Sequence, residues 1–258
     1  QSDWSSDVCS SDLTEGIGLT PEQLQGDQVA SLAVPECGTK FVRGMLEDSR
    51  PQTFSDLVRI SGFSHGTNVW LDNAQDLIKN GTCKLNEAIS TRDDVMNFLI
   101  HRGMDRKHSF FVMENVRKGK GIEKRNKQGQ AITEFEAEMR ENNIPEWFIE
   151  SCKKISYLFP RAHAVAYVMM AFRIAWFKVY HPLAFYAAYF SIRATAFDLR
   201  IMTGDLKTQM TEFNRIKALD RGASPKDKDL MSALEVSMEM YQRGYRLDRK
   251  STRLNSSH

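Results

Sequence analysis

From Ala162 to Tyr180 the chain is apolar on nearly every face a helix could present. A helix of that kind must be surrounded by protein, so it predicts a core helix with other helices packed round it. The uncharged part, Ala162 to Phe172, is bounded by Arg161 and Arg173. That run is too short to span a bilayer. His181-Pro182 breaks the segment, and Leu183 to Arg193 reads as a second buried helix. With 41% hydrophobic and 26% charged residues, the rest of the 258-residue chain can supply such surroundings.

The remaining signals are also helical. Thr20-Pro21 places a cap and a proline at a helix start. Thr39 to Leu46 and Thr53 to Ile60 have helical spacing, and Ser61 to Thr67 reads as a glycine-containing loop. Val69 to Ile78 is predicted as a helix stopped by Asn80-Gly81, and Thr91 starts another with acids in its first turn. Ser109 to Val116, Glu134 to Asn142, Pro145 to Leu158, Leu206 to Leu219 and Pro225 to Arg243 complete the set. Gly119 to Thr133 has no apolar period and reads as a loop or hairpin. No strand-period segment stands out, so the expected fold class is all-α, mainly helical.

The two ends read differently. Residues 1–13 are Ser/Asp-rich and unpatterned, and so is the tail from about Asp248; both look like translated sequencing-adapter readthrough. They are set aside, and the natural chain is expected to continue in both directions. No signal peptide is expected from the start. Cys9, Cys37, Cys83 and Cys152 lie far apart without metal-ligand spacing, so reduced thiols and no zinc site are expected.

Net charge is only +2, but it is segregated. His101 to Lys127 holds nine Lys/Arg and three acids; Gln128 to Glu150 holds six Glu and one Arg; Ser151 to Phe197 holds six Lys/Arg and no carboxylate. Two basic stretches flanking an acidic one suit a phosphate-facing surface.

Three constellations could carry chemistry. Arg117, Lys118 and Lys120 stand among glycines at a helix end, where cations suit the dipole and could also hold a triphosphate. The Walker A pattern is absent. Arg161, His163 and Tyr167 stand at the start of the apolar helix, with His163 and Tyr167 on one face. Cations at a helix N-terminus, where acids are usual, point to an external anion; the plain alternative is a core histidine beside a core tyrosine. Ser64-His65-Gly66-Thr67 juxtaposes a hydroxyl and an imidazole. Adjacent residues seldom form a nucleophile–base pair, so a hydrolase is disfavoured and a polar glycine loop is the alternative.

Several of these residues fall in motifs that resemble the PolC-type alpha subunit of bacterial DNA polymerase III. They are Cys37 to Leu46 (CGTKFVRGML), Ser61 to Trp70 (SGFSHGTNVW), Val116 to Gly121 (VRKGKG), Phe159 to Tyr167 (FPRAHAVAY), Phe177 to Pro182 (FKVYHP) and Ala233 to Tyr241 (ALEVSMEMY). The resemblance spans about Thr14 to Tyr245. It implies a C-family polymerase fingers domain over 14–205 and the start of a duplex-binding, helix-hairpin-helix region over 206–247. It implies templated DNA synthesis, with Arg117, Lys118, Lys120, Arg161, His163 and Tyr167 facing the incoming dNTP and Ser64 to Thr67 as a nucleotide-site loop. Magnesium in the intact enzyme would be held by palm carboxylates upstream of residue 14. The implied partners are the DNA template-primer, dNTPs and, through regions outside this sequence, a sliding clamp and other replisome subunits. A cytoplasmic setting without membrane contact is implied too. Two segments depart from the family: Ile122 to Thr133 is longer than the corresponding loop, and Met202 to Leu219 matches poorly. The rival reading is a non-catalytic helical nucleic-acid-binding module.

Overall fold

In the computed structural model the described residues are 16–248, with the backbone of 254–256. Residues 1–13, set aside above, lie outside them, as does most of the tail from 248. The chain divides into two compact units, one of residues 44–169 and one of residues before 44 and after 169. The elements are α1 (Lys40–Ser49), α2 (Phe54–His65), α3 (Gln75–Lys79), α4 (Arg92–His101), α5 (Arg106–Val116), α6 (Phe135–Glu141), α7 (Glu146–Lys154), α8 (Arg161–Tyr180), α9 (Pro182–Ala188), α10 (Leu199–Met202), α11 (Leu206–Ala218) and α12 (Pro225–Gln242). Strand β1 (Tyr245–Leu247) pairs antiparallel with β2 (Leu254–Ser256). The fold is all-α apart from that ribbon. Its second strand lies in a tail without apolar pattern, because ladder bonds use backbone groups that every such residue has.

Local capping chemistry sets most helix starts. Thr53 and Asp56 bond reciprocally at the head of α2, as do Thr91 and Asp94 at α4 and Ser224 and Asp227 at α12. Such caps contribute about 1 kcal/mol each. Asp105 caps α5 through the amides of Lys107 and His108.

Six expectations change. Helix α7 ends at Lys154, where Pro145 to Leu158 was expected to be helical, because residues 155–160 run extended. Leu183 to Arg193 is not one buried helix: α9 ends at Ala188 with only Phe185 and Tyr186 buried, and Ile192 is exposed. Thr20 and Gln23 make the reciprocal bonds of a helix start, but the turn stops at once where Gln25 (φ 60°) and Gly26 (φ 92°) turn left-handed. Helix α2 runs through Ser61–His65, so of the expected loop only Gly66 and Thr67 remain outside it. Val69 to Ile78 is no single helix: Trp70–Ala74 is a wide turn broken at Leu71, Asp72 and Asn73 before α3. Buried Asn73 explains the break, since its side-chain amide donates to the carbonyls of Asn68 and Ser151. Finally, α8 is not buried all round. Ala164, Val168, Ala171, Ala175 and Lys178 form one buried stripe, while Tyr167, Met169, Met170, Phe177 and Tyr180 are exposed. At 20 residues α8 is also longer than its uncharged run, and by length and composition alone it could cross a membrane.

Within unit 44–169, Ala164 and Val168 pack on Val58, with Phe54, Leu57, Phe159 and Val165 around them. Phe98 of α4 stacks on Phe148 of α7 with centroids 4.1 Å apart. In the other unit, α11 and α12 share a core of Phe213, Ile216, Ala233, Leu234 and Met238 with Met202. Leu32, Phe185, Tyr186, Val236 and Met240 form a neighbouring cluster.

Candidate functional site

All ten sequence-predicted site residues lie in unit 44–169, and an extended segment, residues 155–160, gathers them. Ile155 and Leu158 anchor it in the core. Its backbone then serves three elements. The amide of Ser156 donates to Thr67 O (3.0 Å) and that of Thr67 to Tyr157 O (3.0 Å). The amide of Leu158 donates to Arg117 O (3.3 Å), and that of Arg92 to Phe159 O (3.2 Å). The end of α2, the end of α5 and the start of α4 therefore meet on one strand-like piece of chain that leads into α8.

Two glycines permit this. A Cβ on Gly119 (φ 67°) would lie 2.6 Å from Ser156 O, and one on Gly66 would lie 2.4 Å from Val69 Cγ2. Glycines beside Arg117 are also what close approach of a triphosphate to the backbone would need. Gly119 is required for the approach of the protein's own Ser156.

Above this segment four rings come together. His65 stacks on Phe159 (4.8 Å, 26°) and lies 5.8 Å from Tyr167. Phe159 also meets His163 edge-on at 5.8 Å and Tyr167 at 6.1 Å. His163 and Tyr167 share an exposed face of α8, as their spacing predicts. His163 is exposed, not a core residue.

The charges are disposed differently from the expectation. The amide of Arg161 donates to Asp93 (2.9 Å), and its guanidinium lies 3.5 Å from Asp94. The acid that residues 151–197 lack is thus brought to the α8 N-terminus by α4. Asp94 also accepts from the hydroxyl of Ser90 (2.7 Å) and lies 3.6 Å from Arg59. At the end of α5, Glu114 binds Arg117 through both oxygens and Lys118 through one (2.8 Å). Chiefly the Arg117 hydrogen bond, with Lys118 assisting, holds the Glu114 carboxyl down at about 2. An anion arriving at Arg117 or Lys118 would compete with this carboxylate. Lys120 is exposed, its amide bonded to Asn115 O (2.9 Å).

Ser64 and His65 form the last turn of α2, and Ser64 donates to Ser61 O (3.0 Å). Its hydroxyl is engaged with the helix backbone. Among the described residues no three His, Cys, Asp or Glu are grouped to hold a metal. Sequence reasoning missed Phe159, Glu114, Asp93 and Asp94. Phe159 opened a quoted motif, and the two aspartates were read only as first-turn acids of their own helix.

Residues 22–143 match the bacterial DNA polymerase III alpha subunit finger domain. The chain is 54% identical over 230 residues to a PolC-type DNA polymerase III of Caldanaerobacter subterraneus subsp. tengcongensis, covering 89% of this chain and 16% of that protein. It is 51% identical over 232 residues to the PolC-type enzyme of Bacillus subtilis, covering 90% of the chain and 15% of the relative. Identity to that of Thermotoga maritima is 53% over 229 residues, covering 89% and 16%. The chain spans about one-sixth of the length of these relatives. Over that span it is similar to PolC-type DNA polymerase III, and residues 22–143 match the finger domain of the bacterial alpha subunit.

Proposed function

We propose that this chain is the part of a bacterial replicative DNA polymerase that grips the incoming dNTP and adjoining template-primer in the cytoplasm, as a DNA-directed nucleotidyltransferase. The observation that carries the reading is the convergence of the end of α5, the His65 turn and the start of α8 on residues 155–160. Arg117, Lys118 and Lys120 are assigned to the triphosphate, whose developing charge they would neutralise. Arg161 adds a fixed charge, and His163 a hydrogen-bond donor, at a helix N-terminus. The rings of Phe159, His65 and Tyr167 hold that end in place. Residues 206–247 are assigned to the beginning of the duplex-binding region. Magnesium, the sliding clamp and the other replisome subunits enter only through the family, and no step here runs through a metal.

The test is His163→Ala in the intact polymerase that carries this segment. Removing one preorganised donor typically costs about 2–4 kcal/mol in the transition state. The expected result is incorporation slowed by about 10²–10³-fold with an unchanged melting temperature, because His163 is exposed. Normal turnover per folded molecule would remove His163 from the site.

A further inference from the structure

Residues 122–133, expected as a loop or hairpin, form a hairpin. Arg125 and Ala131 pair antiparallel, with Ile132 N donating to Lys124 O (2.8 Å) and Asn126 N to Gln130 O (2.9 Å). Asn126 sets the turn by accepting from the amides of Gln128 (3.0 Å) and Gln130 (2.9 Å). The root is fixed by buried Ile122, whose carbonyl accepts from Asn115 (3.1 Å).

The hairpin carries Lys124, Arg125 and Lys127, all exposed, with Lys120 just before it. Its one acid, Glu123, is turned inward. That carboxylate accepts from the Thr133 hydroxyl and from the amides of Phe135 (3.2 Å) and Glu136 (2.7 Å), capping α6. Of the acids that follow, Glu136 pairs with Arg140 and Lys153 and Glu138 with His108, while Glu134 at the foot of the hairpin is exposed. Among the described residues none of Lys120, Lys124, Arg125 and Lys127 has an ion-pair partner, and the Arg125 guanidinium donates only to Gly129 O (2.8 Å). A hydrogen-bonded hairpin thus presents like charges while Glu123, Glu136 and Glu138 are engaged elsewhere.

We propose that the hairpin of residues 122–133 is a DNA contact that grips the phosphate backbone without reading sequence. This rests on the reading of the chain as part of a DNA polymerase, and assigns the contact to residues outside the dNTP site. Phosphate suits these side chains because three cations on a short, rigid ribbon can neutralise successive charges along a strand.

The test measures anisotropy of labelled duplex and single-stranded oligonucleotides with the purified chain over a salt series. For Lys124→Gln/Arg125→Gln/Lys127→Gln the slope of log K against log salt should shrink by about 2–3 on duplex and about 2 on single strands. Lys124→Arg/Lys127→Arg should keep the parent slope. Helical circular dichroism should be unchanged in both, and Lys127→Gln alone, at the tip, should cost about 0.9 of slope on duplex. Parent-like slopes in the charge-removed variants overturn the hairpin assignment alone. So does loss of binding to polyglutamate with DNA binding intact, which would mark an acidic protein partner. A parent chain that binds neither oligonucleotide overturns the hairpin and the DNA-contact reading together, whereas failure of the His163→Ala test leaves the hairpin standing.

Discussion

At Gly119 one added carbon would meet the carbonyl oxygen of Ser156 at 2.6 Å, and the backbone there is left-handed, φ 67°. At Gly121 the backbone is left-handed too, φ 74°, but nothing lies within 4 Å of the same carbon. The pair separates conformational strain from close approach. Gly121→Ala should cost about 1 kcal/mol, the strain of a left-handed residue alone. Gly119→Ala must add the displacement of Ser156, and a total of about 3 kcal/mol or more is expected. Urea unfolding of both variants checks this; equal losses would reject the close-approach account. The VRKGKG string gives residue types without their duties: it cannot show that Gly119 serves Ser156, or that Glu114 holds both Arg117 and Lys118.

At the scale of the element, α8 is the segment the sequence marked most strongly, and the marking was correct for its existence. Its uniform apolarity gives no phase, however, so the buried stripe could not be read from it. Lys178 defines that stripe in the second unit. It is fully buried and donates to Ala30 O (2.6 Å), Leu32 O (2.7 Å) and Glu239 (2.8 Å). Tyr186 donates to the other Glu239 oxygen (2.6 Å), and Arg243 donates to Tyr186 Oη (3.2 Å). Burial pulls the Lys178 pKa down, against the pull of Glu239. Lys178→Met would leave Glu239 buried without its cation and should destabilise by about 3–5 kcal/mol. Lys178→Met/Glu239→Leu should lose less than that single change, because no lone charge remains. Melting curves of the two variants make the comparison, and a double variant worse than the single would refute the account.

At the scale of the whole molecule, the described residues gather cations, rings and a helix N-terminus but no group of three or more His, Cys, Asp or Glu that could hold a metal. The chain should therefore extend no primer by itself. Primer extension with purified chain, magnesium, dNTPs and template-primer should match a blank preparation; extension above it would show that catalytic carboxylates are present after all.

The sequence by itself determined the helical class, most helix starts and the segregation of charge. Caps such as Thr53 with Asp56 act over three residues, and composition over a few turns, so both are written locally. The motif strings carried the family for the same reason, since each is contiguous. Only the tertiary structure decided that Asp93 serves Arg161, that Phe159 joins His65 to Tyr167, and that Glu123 turns inward while its basic neighbours face solvent. Those outcomes depend on which distant segments meet on residues 155–160 and at the head of α6. Hydrogen bonds and ring contacts formed across such meetings leave no period in the chain.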